Sequence, residues 1–384
     1  MTALKIFRGR SVEDQMVATQ NRSSGFDYLR MILSTSVIAW HSLEVCYGVP
    51  VILLAWASPL RPALVFLLPS FFCLSGFLVA GSLFRVGKIS IFLTLRAMRI
   101  FPALLVEVFL SALLIGPLLT FVDLRTYFSS REFFSYFLNV VGDIHYILPG
   151  VFVHNPMPMV NAQLWTIPYE LKCYIAIVVL ALVGLLKRRR LLVLCVAAVI
   201  AVTYVHLAMK GTMPNHFGNP PGRMLVLSFL VGIVIYLYKD RIELSVGWFG
   251  LALAVFLVLL LFPQAIYLVP FPVGYMTVYL GLLNPKRIRW LFSGDYSYGL
   301  YLYGYPAQQV VSQLLPQFRF WYVNLVLSLA LAGFVAFLSW TFVESRVLGK
   351  KRFIISSMEK SLSRMNNVGL AFFGKPKNAS QGEL

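Results

Sequence analysis

Arg30 and His41 stand eleven residues apart in the stretch RMILSTSVIAWH, which carries no other charge. At about 100° and 1.5 Å per helical residue they share one face, roughly 16 Å apart. Arg30 reads either as a snorkelling anchor at a helix end or as an anion ligand. His41 lies deeper, where an ionisable side chain is costly and marks function by default. A cation at one end and a titratable ring at the other suit a long ligand with an anionic head and a reactive tip. Glu44, one turn beyond His41, can orient its ring or lie wet at the surface. Asp27, one turn before Arg30, is placed to pair with it.

Further groups join this pair. In LRAMRIFP, Arg96 and Arg99 are three apart and so lie on one helical face. Paired guanidinium forks suit phosphates, although basic residues also collect there for topological reasons. Pro102 is expected to break or bend the chain as the next span begins. In NAQLWTIPYELKCY, Pro168 suits the first turn of a helix, Trp165 and Tyr169 suit an interface, and Glu170 is a carboxylate just inside a span. GDYSYGLYLYGYP, with Tyr298 and Tyr301, reads as an aromatic belt or as a polar-lipped sugar groove. Glu344 closes the last span at a helix end that disfavours negative charge, so a cationic partner is expected. Glu107, inside LLVEVFL, is a buried carboxylate without a role. His145, His154, His206 and His216 lack metal-ligand spacing, and the four cysteines lack paired spacing.

These groups need elements that hold them in an apolar medium. The chain has 384 residues, 59% hydrophobic and 12% charged, against roughly 25% charged in soluble domains. The apolar residues come in blocks, which implies an all-α polytopic membrane bundle. Ten spans are read: 29–48, 62–84, 101–121, 165–186, 191–208, 224–238, 246–262, 264–283, 297–315 and 320–343. The net charge of +18 arises first from basic cytoplasmic loops rather than from a nucleic-acid partner. With ten spans every basic cluster, from Arg8, Arg10 and Arg22 through KRRR and Lys286, Arg287 and Arg289 to GKKR, falls on one side. That side is then the cytoplasm and holds both termini. Residues 127–164 are apolar, but a span there would invert every later helix; they are expected to be interfacial or re-entrant on the outer side. The division is a tail over 1–25, a membrane domain over 26–348 and a basic, partly disordered tail over 349–384. No internal repeat is evident, which disfavours a repeat-built transporter or flippase of lipid-linked saccharides, the main alternative.

The stretches FDYLRMILSTSVIAWH, FFCLSGFLV, RAMRIFP, NAQLWTIPYELKCY, SYGLYLYGYPAQQ and LSWTFVESRV, in that order, resemble the acyltransferase-3 family of integral membrane enzymes. The resemblance runs from about residue 26 to 348. It departs from the family pattern at Gly304, where a His is common, and at Ser345 and Arg346, which follow Glu344. It implies O-acylation, usually O-acetylation, of extracytoplasmic or lipid-linked carbohydrate such as O-antigen or exopolysaccharide, in the bacterial inner membrane. The donor it implies is cytoplasmic acetyl-coenzyme A, with no metal. His41 would then be the general base or an acyl relay, aided by Glu44 or Glu170. Arg30, Arg96 and Arg99 would meet the donor's phosphates. Substrate contacts are expected from Asp27, Trp165, Tyr298, Tyr301 and Glu344. The implied partners are a carbohydrate or glycolipid acceptor and membrane lipids, with no nucleic acid.

Overall fold

A computed structural model describes residues 9–288, 292 and 294–364, with side chains to Met358. Arg8 and Arg289 of the basic clusters and the last twenty residues of the expected tail lie outside these residues. The described chain is almost wholly helical. Its long helices are α1 (Gly25–Tyr47), α2 (Arg61–Val86), α3 (Ile89–Leu110), α4 (Ile167–Leu182), α5 (Arg189–Met209) and α6 (Gly222–Leu237), followed by α7 (Val246–Leu259), α8 (Pro270–Gly281), α9 (Tyr296–Leu314), α10 (Trp321–Ser339) and α11 (Lys351–Arg364). Five helical stretches are long and apolar enough to cross a membrane: Arg61–Val86, Ile89–Leu119, Ala162–Leu182, Arg189–Met209 and Trp321–Met358. On α5, Val193, Leu194, Val202 and Val205 all face outward, the inverse of a soluble helix.

The bundle centres on α2, which packs most extensively against α6. Glycines set that distance. A Cβ on Gly76 would lie 2.0 Å from the Phe229 carbonyl oxygen, and one on Gly232 would lie 2.1 Å from that of Cys73. Each helix thus presses backbone against its neighbour where a side chain is missing, as in small-residue interfaces of membrane helices. On the far side, α9 packs on α10 and α1.

Contacts tie the described basic segments together on one face. Arg10–Ser11 pairs antiparallel with Glu243–Leu244. Lys239 meets Glu13 at 2.9 Å and Arg189 meets Asp240 at 2.7 Å. Gln15 donates to the Leu282 carbonyl at 3.1 Å. The opposite face is capped by residues 120–160, where the only helical pieces are short ones such as Leu124–Ser129 and Arg131–Tyr136. That segment is lashed down rather than threaded across. Asn155 donates to the side chain of Gln309 at 2.7 Å, and Arg319 to Asn155 at 2.9 Å.

One sequence expectation is corrected. Pro102 does not break the chain: α3 runs from Ile89 through it, so Arg96 and Arg99, expected on one helical face, share one continuous helix with the residues beyond the proline. The proline removes one backbone donor, and the helix continues past it. The chain after α10 also stays helical, through a π turn at Trp340–Glu344 and on into α11.

Candidate functional site

His41 and Glu44 are three residues apart on α1, and the helix aims both at one cavity of about 460 Å³. His41 Nδ1 lies 2.7 Å from Glu44 Oε2, and both side chains are nearly buried. Toward an ionised carboxylate Nδ1 is the donor, and a neutral ring in that tautomer keeps its lone pair on Nε2. The Tyr305 ring stands edge-on to the imidazole, with centroids 5.1 Å apart. Trp40, Trp56, Tyr146, Gln163 and Trp165 complete much of the wall. An imidazole held in this way can take a proton from a hydroxyl beside it.

Helix α9 carries Pro306, which has no N–H for the carbonyl of Leu302 four residues back. That carbonyl instead receives Asn161 Nδ2 at 3.1 Å and Gln163 Nε2 at 3.0 Å. Gln163 also donates to the Tyr301 carbonyl at 2.7 Å. The NAQLW segment is therefore stapled to the helix at its proline, and this sets Trp165 into the His41 cavity. Asn161 donates as well to the buried Glu107 at 2.6 Å, which ties α3 to the same joint. The Tyr-Pro step and the Asn-x-Gln spacing were the signals for this joint; neither Gln163 nor Asn161 was singled out in the sequence.

A second cavity, of about 1140 Å³, opens on the face that carries the basic segments. It exceeds the roughly 300–1,000 Å³ of ordinary small-molecule sites. Arg30, Arg96, Arg99, Glu170 and Tyr298 line it, together with Asp295, which sequence reasoning missed. Asp295 Oδ2 lies 2.5 Å from Arg99 and 3.5 Å from Arg30, while Ser297 donates to its other oxygen at 3.0 Å. Burial pushes the Asp295 carboxyl up. Arg99 and Arg30 beside it outweigh that and hold it below its ordinary value. Arg96 donates to Ser82 at 3.0 Å, its Nε is buried without a hydrogen-bond partner, and no carboxylate pairs with it among the described residues.

The structure thus sorts the expected site residues into two groups. His41, Glu44 and Trp165 line the smaller cavity. Arg30, Arg96, Arg99, Asp27, Glu170 and Tyr298 line the larger one. Glu170 accepts from Tyr174 at 2.8 Å, so Glu44 rather than Glu170 is the carboxylate on His41. Asp27 pairs with Arg287 at 2.6 Å and lies 3.9 Å from Arg30. Glu344 lines neither cavity. It is buried, accepts from Ser339 at 2.9 Å, and has no ion-pair partner among the described residues, against the cation expected for it. Leu68 and Tyr301 line both cavities and form their common wall. The Tyr301 hydroxyl shares a 2.6 Å hydrogen bond with Thr166 there. Among the described residues no three His, Cys, Asp or Glu side chains are grouped to hold a metal.

No solved structure matches this chain. It is similar to an O-acetyl transferase of Shigella phage Sf6, 28% identical over 355 residues that cover 85% of this chain and 97% of the relative. Residues 23–344 match the family model described as an acyltransferase domain. That match begins just ahead of the Arg30 helix and ends at Glu344, most of the chain, and it makes the protein a member of the acyltransferase-3 family of integral membrane O-acyltransferases.

Proposed function

We propose that the protein moves an acetyl group from cytoplasmic acetyl-coenzyme A to a hydroxyl of an extracytoplasmic or lipid-linked carbohydrate. One observation carries this reading: the arginine-lined cavity and the His41 cavity share Leu68 and Tyr301 as a wall. The relative named as an O-acetyl transferase supports acetyl as the group transferred. In this reading the bundle has ten spans, both termini are cytoplasmic, and the arginine face is the cytoplasmic one.

The donor's phosphates meet Arg30, Arg96 and Arg99, and its thioester arm runs along the larger cavity to Tyr301. The acceptor hydroxyl enters beside His41. A sugar hydroxyl is too weak an acid to attack a thioester unaided. His41 Nε2 takes its proton as the oxygen bonds to the carbonyl carbon, and the carbon–sulfur bond then breaks as the imidazolium returns that proton to the leaving thiolate, which departs as the thiol. Glu44 holds the Nδ1–H tautomer and stabilises the imidazolium that forms.

The test is reconstitution in sealed vesicles with labelled acetyl-coenzyme A on the arginine face and a glycan acceptor on the other. Free thiol should appear on the donor side and acetylated glycan on the far side. Thiol release with no labelled glycan, or transport of unmodified glycan, would refute the reading.

A further inference from the structure

The larger cavity carries more positive charge at its mouth than the three arginines of its interior. Arg22, Arg85, Arg287, Lys351 and Arg352 line its outer part, and all five are exposed. Asp27 pairs with Arg287. Among the described residues no carboxylate pairs with Arg22, Arg85 or Lys351. Inside, Arg30 and Arg99 share Asp295, and Glu170 is engaged by Tyr174. Cations without a carboxylate partner among the described residues therefore sit at the rim, at Arg22, Arg85 and Lys351, as well as inside at Arg96.

Helix α11 supplies part of that rim. Lys351, Arg352, Ile355 and Ser356 all line the cavity, and Thr94 donates to the Met358 sulfur at 3.5 Å, two residues from Arg96 on α3. The helix thus forms part of the cavity's lining, with Lys351 and Arg352 in its first turn.

We infer that the rim formed by Arg85, Lys351 and Arg352 is a second phosphate subsite, which takes the 3′-phosphate on the nucleotide end of the donor. The inference rests on the donor assignment made above. Coenzyme A carries phosphate at two places. Its pyrophosphate adjoins the pantetheine arm, and its 3′-phosphate sits on the ribose at the far end. When the thioester reaches Tyr301, the pyrophosphate lies at the inner arginines and the ribose lies at the mouth. The guanidinium groups of Arg85 and Arg352, with the Lys351 ammonium, suit a terminal phosphate dianion. Anionic lipid headgroups offer the same chemistry, and the experiment separates the two sources.

The experiment compares acetyl-coenzyme A with acetyl-3′-dephospho-coenzyme A in vesicles of phosphatidylcholine, with and without phosphatidylglycerol. The wild type should show KM about tenfold higher for the dephospho donor in both lipids, the scale of one charge-assisted hydrogen bond. Lys351→Ala/Arg352→Ala should raise KM for acetyl-coenzyme A about tenfold, lose the discrimination and act little on kcat. Lys351→Arg should retain the discrimination. Equal KM for both donors in the wild type overturns the subsite while leaving the donor assignment intact. Discrimination that survives in the double variant also overturns it, as does an effect of the variant seen only when phosphatidylglycerol is present. A wild type that uses neither donor instead sinks the underlying assignment.

Discussion

His41 Nδ1 and Glu44 Oε2 lie 2.7 Å apart on adjacent turns of one helix, at the end of the bundle away from the arginines. The pairing commits the ring to one tautomer and leaves a single nitrogen for proton transfer. His41→Ala is expected to lower acetyl transfer by about 10²–10⁴-fold while the protein stays inserted and folded. Glu44→Gln keeps an acceptor for Nδ1 but removes the charge, so it should lose less. Rates from labelled acetyl-coenzyme A, with thermal melting as a folding control, check both. Near wild-type activity in His41→Ala would end the general-base reading.

Arg96 and Arg99 are neighbours on α3 with different surroundings. Arg99 is held by Asp295, whereas among the described residues Arg96 has only Ser82 as a hydrogen-bond partner. Arg96→Ala is expected to raise the donor KM about tenfold and to leave acceptor KM nearly unchanged. Arg96→Lys should restore little, because a single ammonium lacks the fork. Equal loss for donor and acceptor would make these arginines topological anchors.

Asp295 gives a pH dependence with a definite sign. Its carboxyl is depressed in the folded protein, so the contribution of its ion pairs is fully present above the unfolded value of about 3.9. It is lost as pH falls through the lower folded value. Melting in detergent between about pH 6 and pH 3 should show wild type losing this part of its stability in acid. Asp295→Asn should start lower and lose less over the same window.

Gly76 and Gly232 make a packing prediction independent of catalysis. A Cβ at either would strike backbone of the facing helix near 2 Å. Gly76→Ala or Gly232→Ala should cost about 1–3 kcal/mol by forcing α2 from α6. The measurement is the melting temperature of each variant in one detergent.

Leu68 tests the common wall. Leu68→Trp should obstruct passage between the cavities and lower transfer on the order of a hundredfold, while the donor KM moves little. Unchanged transfer would mean that the thioester reaches His41 by another route.

The sequence and the structure agree best where helical spacing alone decides a contact. Glu44 is three residues from His41, and Arg96 three from Arg99, so each pair shares a face whatever surrounds it. Contacts between distant segments were not readable in this way. Asp295 meets Arg30 and Arg99 only through the packing of α9 against α1 and α3. Local pattern likewise could not rank the carboxylates around His41. Glu170 follows Trp165 closely in sequence, and Tyr298 is one turn from Tyr301, yet both line the larger cavity, on the other side of the Leu68–Tyr301 wall from Trp165. Pro102 misleads for a related reason: a proline tends to stop an isolated helix, but α3, anchored in the bundle, tolerates one lost donor.

The shared Leu68–Tyr301 partition has a further consequence for how such a protein would work in a membrane. In the proposed reaction only a two-carbon fragment would pass that wall, and the bulky nucleotide carrier and the glycan would each stay in their own compartment. Neither half of the bundle would then have to rock, and the permeability barrier would stay closed to both large substrates. Chemistry then takes the place of transport, because the membrane is crossed by exchanging one covalent bond for another.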